Sequence, residues 1–210
     1  MRKHQFSVPP VSRFNLRTYA KLFRQAFGLN EPCLDVIGLL DTLPMITRLL
    51  INDEVNFDII SDSDWHQVYN DNDYAVYNLK DKVIYIKESV YLGADRGNPR
   101  DRFTITHEIA HSLLLNEATV QFCRSDTEDI PLYCDPEWQA DCLAGELLMP
   151  YDYCRNLSID DILEIGKGNI IQITKDQYDY ILTLAIKANA IDALDALGYK
   201  FNIKYGLFDV

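Results

Sequence analysis

Five residues constrain this chain more than any others: His107-Glu108-Ile109-Ala110-His111. On a helix, positions four apart differ by about 40° around the axis, so the two imidazoles project side by side. The flanking residues ask for the same conformation. Phe103, Ile105, Ile109, Ala110, Leu113 and Leu114 make much of this segment apolar. A buried helix is therefore predicted to start near Arg100, just after the punctuating Gly97-Asn98-Pro99.

Paired imidazoles suit two corners of a tetrahedral zinc site. Glu108 is rotated about 100° from His107, which lets its carboxylate reach a metal-bound water without ligating the metal. Background composition would produce this pattern by chance in roughly one chain of this size in a few hundred. Two core histidines beside a buried carboxylate would be costly unless all were satisfied, and a metal removes that cost.

A catalytic zinc needs a third protein ligand and one open position. No Gly-x-x-His follows the motif, and His4 and His66 lie far upstream, so the third ligand is expected to be a carboxylate. Glu117, Glu128, Asp135, Glu137, Asp141 and Glu146 are available. Glu137 and Asp141 are best placed, one turn apart on the next predicted helix. One would ligate while the other orients a histidine through its free ring nitrogen. Spacing alone does not choose between them. The expected cofactor is one zinc ion per chain, with another divalent metal such as Mn2+ as the alternative.

The rest of the chain reads as mainly helical α+β with a small antiparallel or mixed sheet. An amphipathic helix is predicted over 15–27, with Leu16, Tyr19, Ala20, Phe23, Ala26 and Phe27 on one face. Arg17, Lys21 and Arg24 form a basic stripe on another, read as a solvated face or a docking surface for an acidic partner. A second helix is expected to follow Pro32 and run to about Leu43, broken by Pro44. Val55, Phe57 and Ile59 alternate as in a strand. Ala75–Tyr77 and Val83–Ile86 read as two more, joined by the polar turn Asn78–Lys82. Val83–Ile86 is either an ordinary buried strand or an edge that pairs with an extended substrate. Residues 116–135 read as a loop. Pro136 opens a helix that continues to Met149, where Pro150 stops it. Two closing helices are expected over 174–187 and 190–197, and a short strand around Tyr199–Ile203. The organisation expected is a helical segment over 1–50, a core over 51–155 and a closing segment over 156–210, packed as one unit.

Composition narrows the function classes. Of 210 residues 25% are charged, and the net charge is −12. Residues 1–30 carry +6 and no acid, leaving −18 on the remainder. Such a balance argues against attachment to nucleic acid by general phosphate attraction. The five cysteines (Cys33, Cys123, Cys134, Cys142 and Cys154) form no C-x-x-C pair and read as small buried hydrophobes in a reduced interior. A second zinc site from Cys123 and Cys134 has poor spacing. The N-terminus has no export-signal pattern, and no apolar run approaches bilayer-spanning length. A cytoplasmic protein without membrane association is expected.

Two blocks carry a resemblance. Arg102-Phe103-Thr104-Ile105-Thr106-His107-Glu108-Ile109-Ala110-His111-Ser112-Leu113-Leu114-Leu115 resembles the active-site helix of the ImmA/IrrE family of metallopeptidases. So does the run from Glu137-Trp138-Gln139-Ala140-Asp141 to Leu147-Leu148-Met149-Pro150, which matches that family's second signature. The resemblance covers residues 70–150. It implies a zincin-like domain with gluzincin-like ligands, Glu137 as the third ligand and Asp141 behind a histidine. It further implies an endopeptidase that cleaves one intracellular partner, a helix-turn-helix repressor of a phage, mobile element or stress response. The C-terminal region departs from the family: no Val-Ser step precedes the final Leu197-Gly198, and Ala193 stands about where a basic residue would fall.

The implied reaction is peptide hydrolysis with Glu108 as general base. Tyr133, Tyr151, Tyr153 and Arg155 are the candidates for a donor to the oxyanion or a contact to substrate. Two other classes compete. A regulator that grips a repressor or toxin without cutting it would use a closed, four-ligand metal site and give Glu108 no role. A DNA-binding pair of terminal helices would have to present Asp176, Asp179, Asp192 and Asp195 to phosphate, which repels them.

Overall fold

The computed structural model describes residues 7–29, 33–115 and 130–154, and the backbone of residues 200–202 and 207–209. The helices expected over 174–187 and 190–197 lie outside these residues, as do Cys123, Glu117, Glu128 and Arg155.

The first helix, α1 (Arg13–Ala26), begins where the Ser12 side chain accepts the Asn15 amide. It buries Leu16, Ala20 and Phe23. The second, α2 (Val36–Ile51), is capped by Asp35, whose carboxylate accepts the Gly38 amide. Pro44 does not end it, contrary to expectation. A proline inside a helix costs about 3 kcal/mol. Here Leu39, Leu40, Leu43 and Ile46 are buried on both sides of it, each contributing about 1.5–3 kcal/mol. The packing wins. Thr47 then ties the helix to the sheet: its Oγ1 donates to the Leu43 carbonyl and accepts the Val55 amide, both at 2.9 Å.

Three strands follow: β1 (Asn56–Ile60), β2 (Ala75–Asn78) and β3 (Val83–Lys87). The sheet order is β1-β3-β2, with β1 parallel and β2 antiparallel to β3. Val83–Ile86 is therefore central and paired on both sides, so it is not the substrate-pairing edge. That edge is β2. Ile84 and Ile86 point into the core.

Two short helices escaped the sequence reading: α3 (Asp62–Val68) and α4 (Glu88–Asp95). Neither is long enough to show a clear 3.6-residue period, although Ser61 caps α3 on the Asp64 amide. The Gly97-Asn98-Pro99 cluster does three jobs in three residues. Gly97 takes φ 83°, the left-handed exit from α4. Its amide bonds to Ala94 O and the next amide to Gly93 O, which closes the helix end. The Asn98 side chain then accepts the Arg100 amide, and Pro99 opens α5 (Pro99–Leu114). Two helices are joined with hardly a spacer.

Helix α5 is the hub. It packs on α2, α4, β2 and β3 and, most extensively, on α6 (Pro136–Leu148). Ile105, Ile109, Ala110, Leu143, Ala144 and Leu147 are fully buried, mostly between these two helices. A 3-10 turn, Leu132–Cys134, leads into α6, and a one-turn helix, α7 (Tyr151–Cys154), follows Pro150. Near the end of the chain β4 (Lys200–Asn202) pairs with β5 (Leu207–Asp209) in antiparallel register. The mainly helical α+β class with a small mixed sheet is the one observed. Among the described residues, no helix is long and apolar enough to cross a membrane.

The basic stripe on α1 is not a uniformly solvated face: Lys21 stays exposed, but Arg17 and Arg24 turn toward α6. Arg24 is buried and donates to the Leu147 carbonyl at 2.7 Å. Arg17 donates to Glu146 Oε1 at 2.8 Å and lies over the Tyr151 ring. Lys21 pairs with Asp152. Charged side chains at these positions pair with groups of α6 and α7. Of the cysteines, Cys142 and Cys154 are buried as expected, while Cys33 and Cys134 are partly exposed.

Candidate metal centre

The helical register of α5 sends His107 and His111 to the same side, and α6 brings Glu137 against them. His107 Nε2 lies 3.0 Å from His111 Nε2 and 3.3 Å from Glu137 Oε2. His111 Nε2 lies 3.5 Å from Glu137 Oε1. The three side chains form a group whose ligand atoms are all within 4.8 Å of one another. Bonds of about 2.0–2.1 Å to a tetrahedral ion imply spacings of roughly 3.3 Å between ligand atoms, and this triangle is close to that.

The donor chemistry agrees. His107 Nδ1 meets Asp141 Oδ1 at 2.8 Å. That bond puts the ring proton on Nδ1 and leaves the Nε2 lone pair facing His111 and Glu137. Two imidazole lone pairs and a carboxylate pointed at one spot repel each other unless a cation or a proton sits between them. The residues fit a divalent metal.

The other described carboxylates considered as ligands, Asp135 and Glu146, are used elsewhere. Asp135 caps α6 by accepting the Glu137 amide. Glu146 is held by Arg17 at the far end of the same helix. Among the described residues Glu137 and Asp141 alone face the histidines, the first toward Nε2 and the second toward Nδ1.

Glu108 is partly buried beside them, and its Oε2 accepts the Tyr77 backbone amide at 2.7 Å. Tyr77 belongs to β2. It stands opposite Ile84, while the Lys87 amide bonds to Tyr74 O, so the ladder bonds fall on the residues either side of Tyr77. Its own amide is left facing the free edge. The edge strand thus aims the carboxylate. This contact was not visible in the sequence, because alternation shows which residues form a hairpin but not which amides face outward.

Electrostatics follow from crowding. Burial raises the Glu108 pKa above the ordinary carboxylate value, opposed by both histidines and the Tyr77 amide. Burial would raise Glu137 too, but hydrogen bonds from His107 and His111 pull it well below the carboxylate range. For His107, burial pushes the pKa down, yet hydrogen bonds to Asp141 and Glu137 prevail and lift it to about 10. The metal-free site therefore holds a proton on His107 at neutral pH, and a metal must displace it. Loading at pH 7 should release roughly one proton per ion and weaken as pH falls. Calorimetric titration in buffers of different ionisation enthalpy measures this, and uptake without proton release would contradict it.

The candidates for contacting substrate separate in space. Tyr133 is 52% exposed in the turn that precedes Glu137. Tyr151 and Tyr153 lie beyond the other end of α6, which puts Tyr151 about 20 Å along the helix direction from Glu137. The Tyr151 ring carries the Arg17 guanidinium at 4.0 Å. Phe103, one turn before His107, places its ring 6.2 Å from that imidazole and was not anticipated as part of the site.

Residues 62–164 match the family model of the M78 peptidases, described as an IrrE N-terminal-like domain. This segment is an M78 domain. The ImmA/IrrE resemblance read from the two sequence blocks is borne out, and the match begins at α3, eight residues before the likeness seen in the sequence. No curated protein and no solved structure matches the chain. Both halves of the metal centre, on α5 and α6, fall inside the M78 domain, whereas α1 and α2 precede it.

Within the M78 domain the two α6 carboxylates should differ. Glu137→Ala removes a ligand and should weaken metal binding more than Asp141→Ala, which removes the support of one; supporting residues are worth about 10- to 100-fold in affinity. Chelator competition ranks the two variants, and the reverse order would exchange their roles.

Proposed function

We propose that the M78 domain is a zinc-dependent endopeptidase that cuts a specific intracellular protein partner. The observation that carries this reading is the pairing of a three-ligand cluster with a partly buried carboxylate aimed by a strand edge. A purely structural metal site gives Glu108 nothing to do, which disfavours a non-cutting regulatory module. When bound, the metal would be held by His107, His111 and Glu137 and would supply Lewis acidity toward the scissile carbonyl and its water.

The chain's own residues do the rest. Glu108 accepts a proton from the attacking water through its second oxygen and returns it to the leaving amine. Asp141 keeps His107 in the tautomer that ligates. The free edge of β2 offers backbone groups to an extended substrate, the role first considered for Val83–Ile86. Among the oxyanion candidates, Tyr133 is the described residue at the ligand end of α6.

The partner is proposed from the family likeness: a helix-turn-helix repressor of a phage, mobile element or stress response, met in the cytoplasm. Direct binding of nucleic acid or membrane is not part of this reading. The test is to incubate the metal-loaded protein with the repressor encoded beside its gene and to follow intact mass. A single cut, absent with Glu108→Gln, is expected. An uncut repressor would remove it as the substrate, and equal cutting by the variant would remove Glu108 from the reaction.

A further inference from the structure

Glu137 occupies an awkward place for a ligand. It is the second residue of α6, and the first turn of a helix lacks the backbone hydrogen bonds that fix later turns. Something outside the helix must hold it. Asp135 caps its amide, but Asp135 itself sits on the 3-10 turn Leu132–Cys134. That turn is fastened by an extended strap that runs into α1: the Val8 amide donates to Cys134 O at 2.8 Å and the Val11 amide to Tyr133 O at 3.1 Å.

Gln139 locks the two together. It lies on α6 between Glu137 and Asp141 and is 3% exposed. Its Nε2 donates to Pro9 O at 2.9 Å and to Tyr133 O at 2.8 Å, which uses both amide hydrogens. One side chain thus joins strap, turn and ligand helix. The other end of α6 is tied to α1 by Arg17 on Glu146 and Arg24 on Leu147 O.

We infer that Gln139 is a positioning residue for the metal centre, and that the strap over residues 8–11, which precedes the M78 domain, is part of the device that sets Glu137. The inference rests on the metal-site reading above.

Gln139→Met keeps the shape of the side chain and loses both donors. Val11→Pro removes a strap amide without touching α6. Thr47→Val serves as a control, since it breaks buried hydrogen bonds on α2, which is not tied to this strap. Each full-length protein is loaded with zinc, then with cobalt(II), and read by chelator competition, visible d–d spectrum and melting temperature. Gln139→Met and Val11→Pro should bind zinc about tenfold more weakly, and their cobalt bands should shift and lose intensity. Thr47→Val should lower the melting temperature with affinity and spectrum unchanged. Wild-type spectra and affinities in both Gln139→Met and Val11→Pro overturn the inference. So does an equal loss in Thr47→Val, which would make the effect one of general stability. If Gln139→Met does not fold, Val11→Pro decides alone. Failure of the wild-type protein to bind cobalt would strike the metal-site reading instead, so the two failures are distinct.

Discussion

Glu108→Gln is expected to lower peptide hydrolysis by about 10²- to 10⁴-fold while the protein keeps its metal and its fold. The physical reason is narrow. A glutamine oxygen accepts the Tyr77 amide as the carboxylate does, so the side chain stays where β2 aims it. It cannot take a proton from water. Substitution also removes a partly buried carboxylate charge beside His107 and His111, and no new cavity is opened, so the melting temperature should hold. Metal content, circular dichroism and intact-mass analysis of the cleaved partner check the three parts separately. Undiminished cleavage would remove Glu108 from the reaction. Lost cleavage together with lost metal would make it a support of the site instead of its base.

Replacing either histidine by alanine should weaken metal binding by more than about 100-fold, the upper range for residues that merely support ligands. The two variants should differ in what they leave behind. His107→Ala strips Asp141 of its hydrogen-bond partner. His111→Ala empties a nearly covered position between α5 and its neighbours. Neither touches the Ile105, Ile109 and Leu143 packing that holds α5 to α6, so both should still fold. Metal analysis after dialysis against a weak chelator reads the result, and wild-type stoichiometry in both variants would refute the site.

Local chemistry was readable in the sequence wherever a few adjacent residues decide the outcome. The i, i+4 histidines, the Gly97-Asn98-Pro99 junction, the hairpin and the Pro136 start of α6 are all of this kind. What could not be read depended on neighbours distant in the chain. Pro44 stays helical because leucines from its own helix find a core on both sides. Arg17 and Arg24 look like surface residues until α6, more than a hundred positions later, offers them a carboxylate and a carbonyl. Val83–Ile86 has the composition of an edge or a central strand equally, and β1 decides by pairing with it. The choice between Glu137 and Asp141 likewise depends on which ring nitrogen each one meets.

The turn between β2 and β3 fixes the register that presents the Tyr77 amide to Glu108, so its length bears on the metal centre. Side chains and amides alternate strictly along a strand, so sliding β2 one place along β3 would exchange its inward and outward groups. The Tyr77 amide would then enter the ladder and release Glu108. Between Asn78 and Val83 the chain returns through Lys82 in a left-handed conformation, with the Lys82 amide on Asn78 O. A residue added or lost there, unless absorbed as a bulge, would be felt by Glu108. In this chain, the length of a surface turn would set where the proposed base stands.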